Sequence, residues 1–153
     1  MAKKKIVIGN WKMNPAKLSV ARAIVDGVKK RCKNIKKTEI ILCVPYVFIS
    51  DLEKLVSRNK NISIGAQSAF WECEGSYTGK ISPLMLIDLG VKYVIIGHSE
   101  ERCLGETEEI LNKKVNSLLQ LGLKVVLCVG ETERDETGEY LRFIRNQLIE
   151  NLK

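Results

Sequence analysis

The chain has 153 residues, 45% of them apolar and 28% charged, with a formal net charge of +7. That is enough for one packed domain, and the balance is that of a soluble globular protein. No run approaches the ~18 apolar residues of a membrane span, the "IVI" behind the first lysines is too short for a signal peptide, and five scattered cysteines (Cys32, Cys43, Cys73, Cys103, Cys128) without a CxxC pair argue against a disulfide framework and a metal site, so a cytoplasmic protein is expected.

The first element is "KIVIG" (5–9), a short apolar run that reads as a strand. Asn14-Pro15 then offers an N-cap and a first-turn proline for a helix through "AKLSVARAIVDGVKKRC". "EIILCV" (39–44) is a second strand, and Ser50-Asp51-Leu52-Glu53 has the form of a capping box for a second helix. "NISIG" (61–65) is a third strand. Behind it runs the longest irregular stretch, 65–81, and a loop of that length in a compact domain is usually functional or an interface. Ser82-Pro83 opens the helix "LMLIDL", which Gly90 stops. "YVIIG" (93–97) is a fourth strand, Thr107 opens "EEILNKKVNSLLQL" up to Gly122, and "KVVLCV" (124–129) is a fifth. A last helix covers roughly 136–152, with apolar positions at Tyr140, Leu141, Ile144, Leu148, Ile149 and Leu152.

Strand and helix thus alternate five times. Continuous apolar strands suit a parallel sheet covered on both faces, so the fold is α/β. Two architectures compete: an open doubly wound sheet, and part of a (β/α)8 barrel, which needs about 250 residues. The lysines cluster at 3–5, 29–37 and 54–60, mostly at helix ends, and no aromatic residues interleave with them. They complement helix dipoles, and no nucleic-acid partner is expected.

In parallel α/β folds ligands bind at the C-terminal ends of the strands. Those ends carry Asn10 and Lys12, then Pro45-Tyr46, then Ala66, Gln67 and Ser68, then His98, Ser99 and Glu100, and last Gly130, Glu131 and Thr132. His98 is the only histidine. It follows an apolar strand and enters a turn that begins a helix, where backbone N–H groups disfavour the imidazolium. A neutral imidazole there can donate to a developing oxyanion. Glu100 is the natural partner for Lys12, and the pair suits an anionic substrate. Glu106 and Glu131 are expected to bond loop backbone. No GxxxxGK[ST] or GxGxxG occurs, so no nucleotide site is indicated.

"GNWKMN" (9–14), "EGSYTGKIS" (74–82), "YVIIGHSEER" (93–102), "LGETEE" (104–109) and "VLCVGET" (126–132) together resemble the signatures of the triose-phosphate isomerase family, in the same order. The resemblance implies a partial TIM barrel over 1–153: five βα units, lacking the last three. It also implies a glycolytic interconversion of dihydroxyacetone phosphate and D-glyceraldehyde 3-phosphate without a cofactor. Residue by residue, it makes Asn10 and Lys12 the substrate-binding pair, with Lys12 also catalytic. His98 becomes the neutral electrophile, Glu100 the partner of the lysine and Ser99 its neighbour. Cys128 and Glu131 match positions near the site with no direct chemical role. Thr78 falls in a loop that enters the neighbouring subunit of a homodimer and approaches that subunit's Asn10 and His98.

Three departures stand against the pattern. The family usually reads TGE where this chain has Thr78-Gly79-Lys80, and SERR where it has Ser99-Glu100-Glu101-Arg102. The first puts the usual dimer contact in question, and the second has no evident effect. Nothing matches the segment like "AYEPVWAIGTG" that carries the family's general base after a sixth strand, nor the glycine-rich phosphate loops after strands seven and eight. Losing a general base costs on the order of a hundredfold to ten-thousandfold. The expectation is therefore an isomerase portion inactive alone, completed by a C-terminal half-barrel chain. The alternative is a non-catalytic half-barrel that binds an anion or associates with itself, since strands 1 and 5 would be open edges.

Overall fold

The computed structural model describes residues 5–131 and 133–153, so Lys3, Lys4 and Thr132 lie outside the described residues. Five strands form one parallel sheet: β1 (Lys5–Asn10), β2 (Thr38–Val44), β3 (Ile62–Ala66), β4 (Tyr93–Ile96) and β5 (Lys124–Leu127). Their spatial order is β1-β2-β3-β4-β5, the same as in the sequence. Each βα unit adds its strand on the same side. That is the winding of a barrel; a doubly wound sheet reverses direction at a switch point. The open-sheet alternative is thereby excluded, and β1 and β5 are the edges, as expected.

The helices are α1 (Leu18–Arg31), α2 (Tyr46–Val56), α3 (Pro83–Asp88), α4 (Ser99–Cys103), α5 (Glu108–Gln120) and α6 (Glu139–Asn151). They cover one face of the sheet. Ala21 and Val25 of α1, Ile49 and Leu52 of α2, and Leu111 and Leu118 of α5 pack there against Leu42, Val44, Ile64, Val94 and Ile96. The other face holds a small cluster made only by the strands: Ile41, Cys43, Tyr93 and Ile95, with Val126 and Cys128 against it. By register, Ile8 pairs with Ile41 and Asn10 with Cys43, so both stand on this inner face.

Several helix signals hold. Ser82 caps α3, its hydroxyl accepting from Leu84 N–H at 3.1 Å, and Thr107 caps α5, accepting from Ile110 N–H at 3.3 Å. Two do not. Asn14-Pro15 caps nothing, because residues 11–17 are spent turning away from the mouth of β1 and α1 starts behind Lys17. Ser50–Glu53 is no capping box but the middle of α2, which begins directly after Pro45. The apolar stripe Phe48, Ile49, Leu52, Val56 already runs through it at helical spacing.

The last helix starts later than expected. Asp135 holds its entry turn, its carboxylate accepting from the N–H groups of Thr137, Glu139 and Tyr140 at 2.8–3.0 Å. These bonds, led by the Thr137 side chain, keep the Asp135 carboxyl well below the usual carboxylate range. The face that α6 buries is polar, Gln147 and Asn151, while Leu141, Leu148, Ile149 and Leu152 stay exposed. Gln147 accepts from Gly130 N–H at 2.9 Å and thereby ties α6 to the chain behind β5.

Candidate functional site

The strand ends converge on one mouth. At the end of β1 the Asn10 side chain turns back on its own backbone, its Oδ1 accepting from Lys12 N–H at 2.9 Å. Lys12 has φ 53, the only positive φ among the described non-glycine residues. A bulky residue enters the left-handed region only when its surroundings hold it there. Gln67, the first residue past β3, supplies that hold. Its Nε2 donates to Lys12 C=O at 2.7 Å and lies 3.3 Å from both Asn10 Oδ1 and Cys43 C=O. Three strand mouths are thus locked together beneath one lysine.

The Lys12 ammonium reaches Glu100 Oε1 at 2.7 Å, across 88 residues of sequence. The pairing expected from the sequence is made. The Lys12 ammonium beside it, first by its hydrogen bond and then by its charge, holds the Glu100 carboxyl below its ordinary value. Both side chains are more than half exposed, at 54% and 56%, so water screens the pair and it orients more than it stabilises.

His98 sits where β4 gives way to α4 and is mostly buried. Gly97 before it must be glycine. Its φ is +73, and a Cβ would come 3.0 Å from Arg102 and 3.1 Å from Cys128 C=O. The His98 Nδ1 has two neighbours from Glu100: its N–H at 3.3 Å and its Oε2 at 3.5 Å. The N–H is the nearer of the two, and Nδ1 accepts from it. The Lys12 ammonium and the His98 ring thus stand on either side of Glu100 at the strand mouths. Such a set can bind an anionic group and stabilise an oxygen on which charge develops.

The remaining site residues fall elsewhere. Ser99 opens α4, is exposed, and its hydroxyl has no hydrogen bond among the described residues. Thr78 is exposed near the tip of the loop between β3 and α3. That loop is irregular but packed. Phe70 N–H donates to Ile81 C=O at 2.8 Å, the Phe70 ring lies 3.9 Å from Trp71 and 4.7 Å from Tyr77, and Ser82 reaches Cys73 C=O. Glu131 pairs with Arg134 at 2.8 Å rather than bonding only to loop backbone, and Glu106 pairs with Lys114. Arg102 braces the mouth from below, donating to Gly97 C=O at 2.7 Å and Cys128 C=O at 3.1 Å while pairing with Glu108. Burial pushes the Cys43 thiol up to about 12 and raises that of Cys128, so neither is a ready nucleophile.

Two cavities flank the group. One, of about 500 Å³, opens beside His98 and is lined by Arg102, Cys128, Val129, Phe143 and Gln147. The other, of about 510 Å³, lies between the β3–α3 loop and α4, with Tyr46, Gln67, Lys80 and Glu101 in its walls. Among the described residues there is no cluster of His, Cys, Asp or Glu that could hold a metal ion, and no helix is long and apolar enough to cross a membrane.

The family model for triosephosphate isomerase matches residues 5–153 of this chain. The triosephosphate isomerase of Thermoanaerobacter pseudethanolicus is 45% identical over 150 residues, which are 97% of this chain and 59% of that protein. That of Dehalococcoides mccartyi is 43% identical over 149 residues, 96% of this chain and 58% of that one. Among solved structures, the triosephosphate isomerase of Bartonella henselae superposes with a TM-score of 0.83 at 34% identity, over 98% of this chain and 62% of its own. The chain thus spans about three-fifths of the length of these relatives.

Proposed function

The chain belongs to the triosephosphate isomerase family, and from that premise we propose that it forms the substrate-holding part of an isomerase site for dihydroxyacetone phosphate and D-glyceraldehyde 3-phosphate. The observation that carries this reading is the Lys12–Glu100–His98 group at the mouths of β1 and β4. Asn10 and Lys12 hold the phosphorylated substrate. His98 donates from Nε2 to the carbonyl oxygen as it gains charge. Glu100 orients the Lys12 ammonium and takes no proton itself, and Ser99 lies beside it without a role in the chemistry.

These residues alone contain no counterpart of the segment in which the resemblance places the general base. Isomerisation by them alone is therefore not expected. A C-terminal half-barrel supplying the base and the phosphate loops completes the site, and a second copy of the chain is the expected partner on the side of Thr78.

Two measurements test this. Mixed with the C-terminal part of a relative, the chain should gain isomerase activity, and His98→Asn should lower that activity about 100- to 1,000-fold, as removal of one oxyanion donor does. Calorimetry with 2-phosphoglycolate should show weak binding by the chain alone, abolished in Lys12→Ala. Tight binding by the chain alone with no turnover in any mixture would favour the non-catalytic module instead.

A further inference from the structure

The two ends of the parallel sheet carry different residues. Every strand is entered through a lysine: Lys5 opens β1, Lys37 precedes β2, Lys60 stands two residues before β3, Lys92 precedes β4 and Lys124 opens β5. The register sets these entries side by side. Lys5 N–H donates to Lys37 C=O at 3.2 Å, Ile40 N–H to Asn61 C=O at 2.8 Å, and Lys124 N–H to Lys92 C=O at 2.9 Å. The helices return to the same end. There α1 and the turn behind it add Lys30, Arg31, Lys33 and Lys36, and the turn behind α2 adds Arg58. Along the sequence these cations stand in separate groups, which gives no reason to expect a nucleic-acid partner; the fold gathers them on one face.

All ten are exposed, and none forms an ion pair among the described residues. Glu39, Glu53 and Asp88 lie at this end and offset only part of the charge. Like charges so gathered repel one another and destabilise the chain. Helix dipoles account for the cations in the last turn of α1. They do not account for lysines at strand entries, because a sheet has little net dipole. Nor does the isomerase chemistry call for them, since the mouths lie at the other ends of the strands, roughly 20 Å away along β2.

We propose that this face is a docking surface for the phosphate backbone of double-stranded DNA. Charge density selects the partner. Five strands about 4.8 Å apart make a face roughly 19 Å across. That length of duplex carries about eleven phosphate charges, at one per ~1.7 Å, and a single strand carries about half as many. An extended acidic peptide presents one charge per ~6.6 Å to one side, because alternate side chains turn away. Only the duplex approaches the density of this face. Eight of the ten cations are lysines, point charges suited to phosphate, rather than the guanidinium forks that grip carboxylates in pairs. The one aromatic ring at a strand entry, Tyr93, is buried, and its hydroxyl accepts from Lys124 Nζ at 2.8 Å. Neither stacking on bases nor an aromatic anchor in a lipid interface is available there. Backbone contacts of this kind read no base sequence.

The test is fluorescence anisotropy of a labelled DNA duplex of mixed sequence, titrated with the whole chain. Binding should be indifferent to base sequence. It should weaken on the order of several hundredfold between ~50 and ~200 mM salt, the dependence of about five phosphate contacts. Lys37→Glu/Lys60→Glu should weaken it at least ~10-fold and lower the salt slope by about two. Lys17→Glu/Lys80→Glu changes the net charge equally at the mouth end and should bind as the parent does. All four sites are exposed, and circular dichroism with thermal midpoints in the absence of DNA checks that both variants fold. Equal weakening by the two variants would reduce the attraction to net charge and overturn the face. A single strand of the same sequence bound as tightly as the duplex would overturn the partner. So would binding to vesicles of anionic phospholipid, or to polyglutamate, with none to DNA. A chain that leaves the duplex free at the lower salt has no such surface.

Discussion

The two faces of the sheet are built from the same β-branched runs and end in different states. On the outer face Ile64, Val94 and Ile96 are sealed under α2 and α5. On the inner face Ile41, Cys43, Tyr93 and Ile95 are buried only against one another and the neighbouring strand end. Towards the β1 edge that inner cluster opens, with Ile6 at 52% exposure and Ile8 exposed beside it. Ser63, on β3, has a buried hydroxyl without a partner among the described residues. One face is thus a finished core, and the other is a floor on which the site residues stand. The outer core therefore governs the stability of the chain. The inner face governs where Asn10 points.

The largest expected effect tests that division directly. Leu52 is fully buried on the outer face, and Leu52→Ala should cost about 2–5 kcal/mol. Ile6→Ala, on the open inner edge, should cost under about 1 kcal/mol. Denaturant midpoints of the two variants give the comparison, and equal losses would mean that the inner edge is as well packed as the outer core.

The second effect probes the closed middle of the inner face. A Cβ added at Gly65 would meet Cys43 Sγ at 2.7 Å, Ile41 Cγ2 at 3.0 Å and Tyr93 C=O at 3.1 Å. Backbone and packed core cannot both yield, so Gly65→Ala should destabilise by about 1–3 kcal/mol. A neutral Gly65→Ala would show that the cluster is loose throughout, and the contrast between its middle and its edge would disappear.

How far the sequence reveals this follows the same division. The outer face was legible because continuous apolar strands and helices with a 3.6-residue stripe have a direct pattern. The α2 start was missed because a Ser-x-x-Glu pattern is local and the stripe through Phe48 and Ile49 overrides it. The polar underside of α6 was hidden, since Gln147 and Asn151 are buried by bonds to Gly130 and Glu108 that no periodicity shows. Asn10, Lys12, His98 and Glu100 could be placed at one mouth because each stands at or within four residues of a strand end. Gln67 could be placed at the same mouth but not given a task. Its partners, Lys12 C=O, Asn10 and Cys43 C=O, come from two other strands and exist only once the register is set.

That gives the third effect. Gln67→Ala removes the donor that holds Lys12 in its positive-φ turn, exposing the freed carbonyls to water. The expected loss is about 1 kcal/mol of stability. The weakening of 2-phosphoglycolate binding should be larger than that loss alone implies, because Lys12 is no longer presented. If Gln67→Ala bound the ligand as the parent does, the hold would be structural only.

The smallest effect is electrostatic and belongs wholly to the site. The Glu100 carboxyl is held below its ordinary value of 4.5 by Lys12. Folding therefore favours its ionised form, and the linked stability is complete above that ordinary value. It is lost as pH falls through the lowered one. The stability difference between the parent chain and Glu100→Gln should thus stay constant from neutral pH down to the ordinary carboxylate range, then close on further acidification. Because both partners are more than half exposed, the difference should be small and should shrink with added salt. Thermal midpoints across pH would show it. A gap that widened below the carboxylate range would mean that Glu100 is stabilised when protonated, which the Lys12 contact forbids.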